Sequence, residues 1–88
     1  MSNNVQVGVV MGSDSDYEAM KACVKQLEAF GISFEVRIIS AHRTPAIADE
    51  YAASAAPRGL KVIIAAAGMS AALSGVLAAR TTLPVIGV

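Results

Sequence analysis

Four short apolar runs alternate along this chain with three segments of helical periodicity. The runs are Val5–Met11, Ser33–Ile39, Leu60–Ala67 and Pro84–Val88. Each is strand-sized and bounded by glycine, proline or polar residues. After the first run, Met20, Cys23, Val24 and Leu27 fall at i, i+3, i+4 and i+7. A helix is therefore expected over residues 16–30, with Gly31 as its natural stop. Thr44 and Pro45 read as the cap and first residue of a second helix. Its apolar face is Ala48, Tyr51, Ala52 and Ala55, and Pro57-Arg58-Gly59 breaks it. An alanine-rich third helix is expected from about Ser70 to Arg80, with Leu73, Val76 and Leu77 on one face.

Single helices between successive strands imply parallel pairing through right-handed crossovers. The strands read as continuous apolar runs, as expected where both faces of a sheet are covered. The expected architecture is α/β: a three-layer sandwich around a parallel, doubly wound sheet of flavodoxin-like order. In such sheets a ligand sits beyond the carboxyl ends of the strands, where the strand order reverses. That rule nominates three loops: Gly12–Asp16, Ser40–Thr44 and Gly68–Ser70.

At 88 residues the chain is expected to form one domain. It is 55% hydrophobic and 16% charged, enough for a core and more apolar surface than so small a monomer hides easily. Contact with further subunits is expected. The formal net charge is zero, and no basic block points to nucleic acid. Cys23 is the only cysteine, so no internal disulfide forms, which suits a reducing cytoplasm. No charged region precedes the first apolar run, so no signal peptide is expected. The longest apolar stretch, Val62–Ala67, is strand-sized, so no membrane span is expected.

The chemistry of the three loops agrees with their position. In GSDSD, Gly12 lets the backbone approach a ligand, and Ser13 and Ser15 are donors before a helix N-terminus, a setting that favours anions. Asp16 can accept hydrogen bonds from sugar hydroxyls. The alternative is an ordinary helix start, with Ser or Asp capping the first turn. The loop is neither a Walker sequence nor GxGxxG. In SAHRTP, Arg43 can hold a phosphate by a two-pronged hydrogen bond, and His42, the only histidine, can move protons near neutral pH. The alternative is a surface histidine beside a helix start. In the third loop, AAAGMSAALSG, Gly68 frees the backbone, Ser70 is a cap or a ligand contact, and Met69 reads as packing. No metal site is expected: there is one histidine, one cysteine on a helical face, and no carboxylate cluster at ligand spacing. No GxSxG elbow supports a serine hydrolase.

MGSDSD, SAHRTP, VIIAAAG and TTLPVIGV, in this order and spacing, resemble the N5-carboxyaminoimidazole ribonucleotide mutase family of purine biosynthesis. The resemblance runs from Val5 to Val88. It implies a cofactor-free isomerase that converts N5-carboxyaminoimidazole ribonucleotide to the 4-carboxy isomer, usually as a cytoplasmic homo-octamer. It implies that Ser13 and Arg43 bind the ribotide phosphate and Asp16 the ribose. It places Ser40, Gly68, Met69, Ser70 and Leu73 around the base and carboxylate, with His42 as general acid/base. No nucleic acid or membrane partner is implied.

Two departures from the family pattern stand out. The mutases read AGGAAHLPG in the third loop; here it is AGMSAALSG, with Ala72 at the histidine and Ser74 at the proline. Gly68, Ser70 and Leu73 lean toward a related branch that carboxylates aminoimidazole ribonucleotide directly with carbon dioxide, whereas SAHRTP and LPVIGV lean toward the mutases. A nickel-cofactor synthase shares an AGM-type loop but not SAHRTP. Family members also continue past the fourth strand, so the chain is expected to be the amino-terminal portion of a longer domain, with the sheet incomplete at the C-terminus. A non-catalytic nucleotide-binding module and an assembly fragment are the readings from other classes.

Overall fold

The computed structural model describes residues 5–12, 16–40, 43–66 and 72–88. The expected alternation is present as β1 (Val7–Met11), α1 (Tyr17–Ala29), β2 (Phe34–Ile38), α2 (Pro45–Ala55), β3 (Val62–Ala66), α3 (Ala72–Ala78) and β4 (Val85–Gly87). The four strands form one parallel sheet in the order β2-β1-β3-β4. The chain starts in the interior of the sheet, moves outward to β2, then reverses across β1 to β3 and β4. This is the doubly wound, flavodoxin-like order.

Two cores lie on opposite faces, and the period of two along β1 sorts residues between them. Val7, Val9 and Met11 pack with Met20 and Ala66 on the α1 side. Val10 packs with Ile39, Ile63, Ala65 and the apolar faces of α2 and α3 on the other. All four residues expected on the α2 face are buried, and so are Leu73 and Leu77 of α3. Met20 and Val24 carry the buried stripe of α1, while Cys23 and Leu27 lie half-buried at its margin. The end of α1 follows from Gly31, whose φ of 71° is left-handed. Gly31 N–H donates to Glu28 O at 3.0 Å and Ile32 N–H to Leu27 O at 3.0 Å, satisfying the last carbonyls. No helix among the described residues is long and apolar enough to cross a membrane.

Two expectations are corrected. The strands are not all covered on both faces. β1 is buried throughout, but β2 reads FEVRI and is half-buried to exposed. The reason is position: among the described residues β2 has a strand neighbour only on one side, and an edge tolerates Glu35 and Arg37 where a central strand would not. Thr44 occupies the cap position of α2, with Pro45 after it, yet its side chain makes no capping bond. Its hydroxyl instead turns back to Ser40.

Gly8 marks a close approach of helix to sheet. A methyl group built there would overlap the Tyr51 hydroxyl and lie 2.9 Å from Leu60 Cδ2. The space above Gly8 is filled by Tyr51 of α2, whose hydroxyl donates to Glu35 Oε2 at 2.6 Å. Glu35 is directly opposite Gly8 in the β1–β2 register. Arg58 completes the cluster, with Nη2 2.9 Å from Glu35 Oε2 and Nη1 3.3 Å from Oε1. The guanidinium groups of Arg37 and Arg58 each lie 5.3 Å from the Tyr51 ring centre. This cluster ties α2 to the edge strand.

The cluster predicts two pH-dependent limits of stability. The hydrogen bond from Arg58, above all, holds the Glu35 carboxyl below its ordinary range, against the effect of burial. A depressed folded pKa contributes stability above the unfolded value of about 4.3 and loses it as pH falls through the folded value. Burial, and then the Glu35 carboxylate, push the Tyr51 phenol above its ordinary range. That contribution is present below about pH 10 and is lost at higher pH. Tyr51→Phe is expected to lower Tm by on the order of 10 °C at neutral pH, since the bond lost is to a charged acceptor. Thermal melts across pH should show the gap to wild type closing below about pH 4 and above about pH 10. A constant gap would mean that the Tyr51–Glu35 pair does not titrate as described.

Candidate active site at the carboxyl ends of three strands

β1, β2 and β3 end on one row. Met11 is in register with Ile38 on one side and Ala66 on the other. The pairing continues one step beyond each strand: Ile39 N–H donates to Met11 O at 2.8 Å, and Gly12 N–H donates to Ala66 O at 3.0 Å. The three strands that precede the loops nominated from the sequence therefore end side by side. The row includes β1 and β3, where the winding reverses, as the rule for open α/β sheets requires.

The loop after β2 is the best-defined wall. Ser40 N–H donates to Thr44 Oγ1 at 3.1 Å, while Thr44 Oγ1 donates to Ser40 O at 2.9 Å. Thr44 N–H also donates to Ser40 O at 2.9 Å. Ser40 Oγ accepts the Arg43 N–H at 3.0 Å. Four hydrogen bonds thus pin the two ends of a five-residue loop to each other. The Ser40 hydroxyl uses a lone pair for this and keeps its own proton for another acceptor. Arg43 is exposed, and its guanidinium has no ion pair among the described residues. A cation held this way is suited to an anionic ligand.

Thr44→Val removes both hydroxyl bonds while keeping the side-chain shape. It leaves the half-buried Ser40 N–H without its acceptor, so a loss of about 1–3 kcal/mol is expected in urea denaturation. Thr44→Ser should stay within about 0.5 kcal/mol of wild type. A Thr44→Val variant as stable as wild type would show that the two hydroxyl bonds do not hold the loop.

Asp16 stands at the start of α1, half-buried, and its side chain does not cap the helix. The helix-start reading of Asp16 therefore does not hold for its own side chain. Leu73, placed with the ligand-binding residues by resemblance, is 1% exposed and packs in the core with Val10 and Ile39. Its side chain is therefore part of the core rather than the lining of an open surface. Asp16 thus follows β1, and Ser40 and Arg43 follow the neighbouring β2. Ser13, His42, Gly68, Met69 and Ser70 lie outside the described residues.

Sequence reasoning missed the Glu35–Tyr51–Arg58 cluster, having read Tyr51 only as part of an apolar face. Glu35 and Arg37, alternating within an otherwise apolar strand, were the available signal. A groove of about 290 Å³ beside the cluster is lined by Arg37, Ile47, Glu50, Tyr51, Ser54 and Arg58. None of the loop residues lines it, and Glu35 already neutralises Arg58. The strand ends are the better candidate for ligand chemistry, because they lie where the winding of the sheet reverses. No group of three or more metal-ligating side chains occurs among the described residues.

The sequence matches known proteins along nearly its whole length. It is 52% identical over 84 residues to the N5-carboxyaminoimidazole ribonucleotide mutase of Vibrio parahaemolyticus, covering 96% of this chain and 52% of that protein. It is 58% identical over 82 residues to the phosphoribosylaminoimidazole carboxylase of Candida glabrata, covering 93% of this chain and 14% of that one. The fold superposes on the crystal structure of Treponema denticola PurE with a TM-score of 0.78 and 34% identity, covering 93% of this chain and 52% of that chain. The chain thus spans about half the length of the mutase it matches. With the sheet order, the loop positions and a match to the AIR carboxylase family model over residues 6–88 all in agreement, the chain belongs to that family.

Proposed function

We propose that this protein acts in purine biosynthesis as a carboxyl-shifting mutase, converting N5-carboxyaminoimidazole ribonucleotide to 4-carboxy-5-aminoimidazole ribonucleotide. The observation that supports the reading is the registered ending of β1, β2 and β3, the strands that precede GSDSD, SAHRTP and the small-residue loop in the chain. The mutase name of a relative that is 52% identical supports the same reaction.

In this reading Arg43 and Ser13 take the phosphate and Asp16 the ribose hydroxyls. Ser40, Ser70 and the segment around Gly68 and Met69 surround the base and carboxylate, with Leu73 as their support. The N–carboxylate bond breaks with its electrons staying on nitrogen, and carbon dioxide is held in the pocket. C4 of the imidazole then attacks that carbon, forming the new C–C bond. The nitrogen gains one proton and C4 loses one, so the balance closes without a cofactor. His42 carries these protons as general acid and base, a role suited to an imidazole near neutral pH. The ligand is a small ribonucleotide. A cytoplasmic homo-oligomer, octameric by family resemblance, is the proposed form.

A second reading has specific support. A relative named carboxylase is 58% identical, and Ala72 stands where the mutase pattern has histidine. Direct carboxylation of aminoimidazole ribonucleotide by carbon dioxide would use the same phosphate and ribose contacts. Turnover of the purified protein, followed by absorbance of the 4-carboxy ribotide, separates the two. Product from the N5-carboxy substrate alone is expected. Product only from aminoimidazole ribotide with bicarbonate would replace the mutase reading, and product from neither would refute both for this chain.

A further inference from the structure

β2 ends the sheet, and its outer edge has no strand beside it among the described residues. The hydrogen bonds on its inner side reveal which groups face outward. Val7 N–H donates to Ser33 O at 3.2 Å, and Ile39 N–H donates to Met11 O at 2.8 Å. In a parallel pair the backbone groups of alternate residues point to the same neighbour. Residues 33, 35, 37 and 39 therefore direct N–H and C=O toward β1, and Phe34, Val36 and Ile38 direct theirs outward. Unmet groups of this kind are a template for another strand.

The side chains favour one particular strand. Glu35 and Arg37 lie on the α2 face, where both reach Tyr51. Phe34, Val36 and Ile38 fall on the other face, with Val36 37% and Ile38 55% exposed. Consider a second copy of β2 laid antiparallel along the edge, with a two-fold axis through Val36. Val36 then meets Val36 of the second copy, and Phe34 meets Ile38 of the second copy. Both pairings use outward backbone groups, so both are hydrogen-bonded pairs. Glu35 falls opposite Arg37 of the second copy in the non-hydrogen-bonded position, where side chains approach most closely.

The edge is thus self-complementary in three respects at one register: backbone groups, apolar face and charge. Edge strands that avoid pairing commonly carry one sign of charge, which repels an identical copy. Here the two charges have opposite sign and are spaced to exchange partners. Arg37 has no ion pair among the described residues, so it has a guanidinium to offer. We infer that the β2 edge is an isologous contact with a second copy of this chain, antiparallel and centred on Val36. The contact extends the four-stranded sheet across a two-fold axis, the commonest symmetry of homo-oligomers. It is independent of the reaction proposed above.

The test is a cross-link at the axis. Hydrogen-bonded antiparallel pairs hold their Cα atoms about 5.5 Å apart, within disulfide range. Val36→Cys is made in a Cys23→Ala background and oxidised with diamide, with Ala53→Cys, exposed on α2, as the control. A species of twice the 9.0 kDa chain mass, reversed by reductant, is expected for Val36→Cys at least tenfold faster than for the control. Adding Arg37→Glu should cut that rate at least tenfold by facing Glu35 with a like charge, whereas Arg37→Lys should retain it. Circular dichroism confirms that each variant is folded. Cross-linking of Val36→Cys no faster than the control overturns the inference, as does a rate indifferent to the sign at residue 37. Protection of the thiol introduced by Val36→Cys from any thiol reagent, without dimer, would also overturn it by showing another occupant on the edge.

Discussion

Gly8→Ala is expected to destabilise the protein by roughly 3–5 kcal/mol. The added methyl group would overlap the Tyr51 hydroxyl and crowd Leu60 Cδ2 at 2.9 Å. Overpacking of this kind costs about 1–3 kcal/mol when side chains can shift. Tyr51 cannot shift without loss, because its hydroxyl donates to Glu35 at 2.6 Å. Breaking a bond to a charged acceptor adds about 1.5–3 kcal/mol. A chain of this size has a total stability of roughly 4–13 kcal/mol, so much of the population could unfold. Urea denaturation measures the effect as a lower midpoint with an unchanged slope. The double variant Gly8→Ala/Tyr51→Phe should be less impaired than the sum of its parts, since phenylalanine removes the atom in closest conflict. If Gly8→Ala stayed within about 1 kcal/mol of wild type, α2 would not be held against the sheet as described.

His42→Asn is expected to lower kcat by about 10²–10⁴-fold, the usual contribution of a general acid/base. Asparagine keeps a polar amide in place but cannot carry a proton at neutral pH. Ribotide affinity, measured by calorimetry, should change less than threefold, because the proposed function gives phosphate and ribose to Arg43, Ser13 and Asp16. Arg43→Ala should do the opposite, raising KM more than it lowers kcat. This crossed pattern distinguishes a proton carrier from a residue that merely shapes the loop. An asparagine variant with kcat within threefold of wild type would remove His42 from the chemistry and leave the binding-module reading standing.

The particular elements show where sequence reasoning reached and where it stopped. The stop of α1 at Gly31 was legible because a left-handed residue is a local need that glycine meets at least cost. The buried face of α2 was legible because four apolar residues at helical spacing have one way to face inward. Thr44 was misread as a side-chain cap because the choice between its own helix and Ser40 is made by the path of the loop. β2 was read as covered because an apolar bias does not tell an edge from a centre, although Glu35 and Arg37 carried that information. In the candidate site, topology made the aligned strand ends legible, while the hydrogen bonds that pin the Ser40–Thr44 loop had no signature in residue types alone.

What the sequence by itself determined is the alternation of strands and helices, the faces they bury, their stops, and the motifs at the strand ends. All of these rest on backbone sterics and hydrophobic periodicity, which act within a few residues. Only the tertiary structure decided that β2 is the edge, that Gly8 must stay bare beneath Tyr51, and that Glu35 joins Tyr51 and Arg58. The last contacts link residues 16 and 23 positions apart. Such pairings depend on how the crossovers stack helices against the sheet, a packing choice made by the whole chain at once.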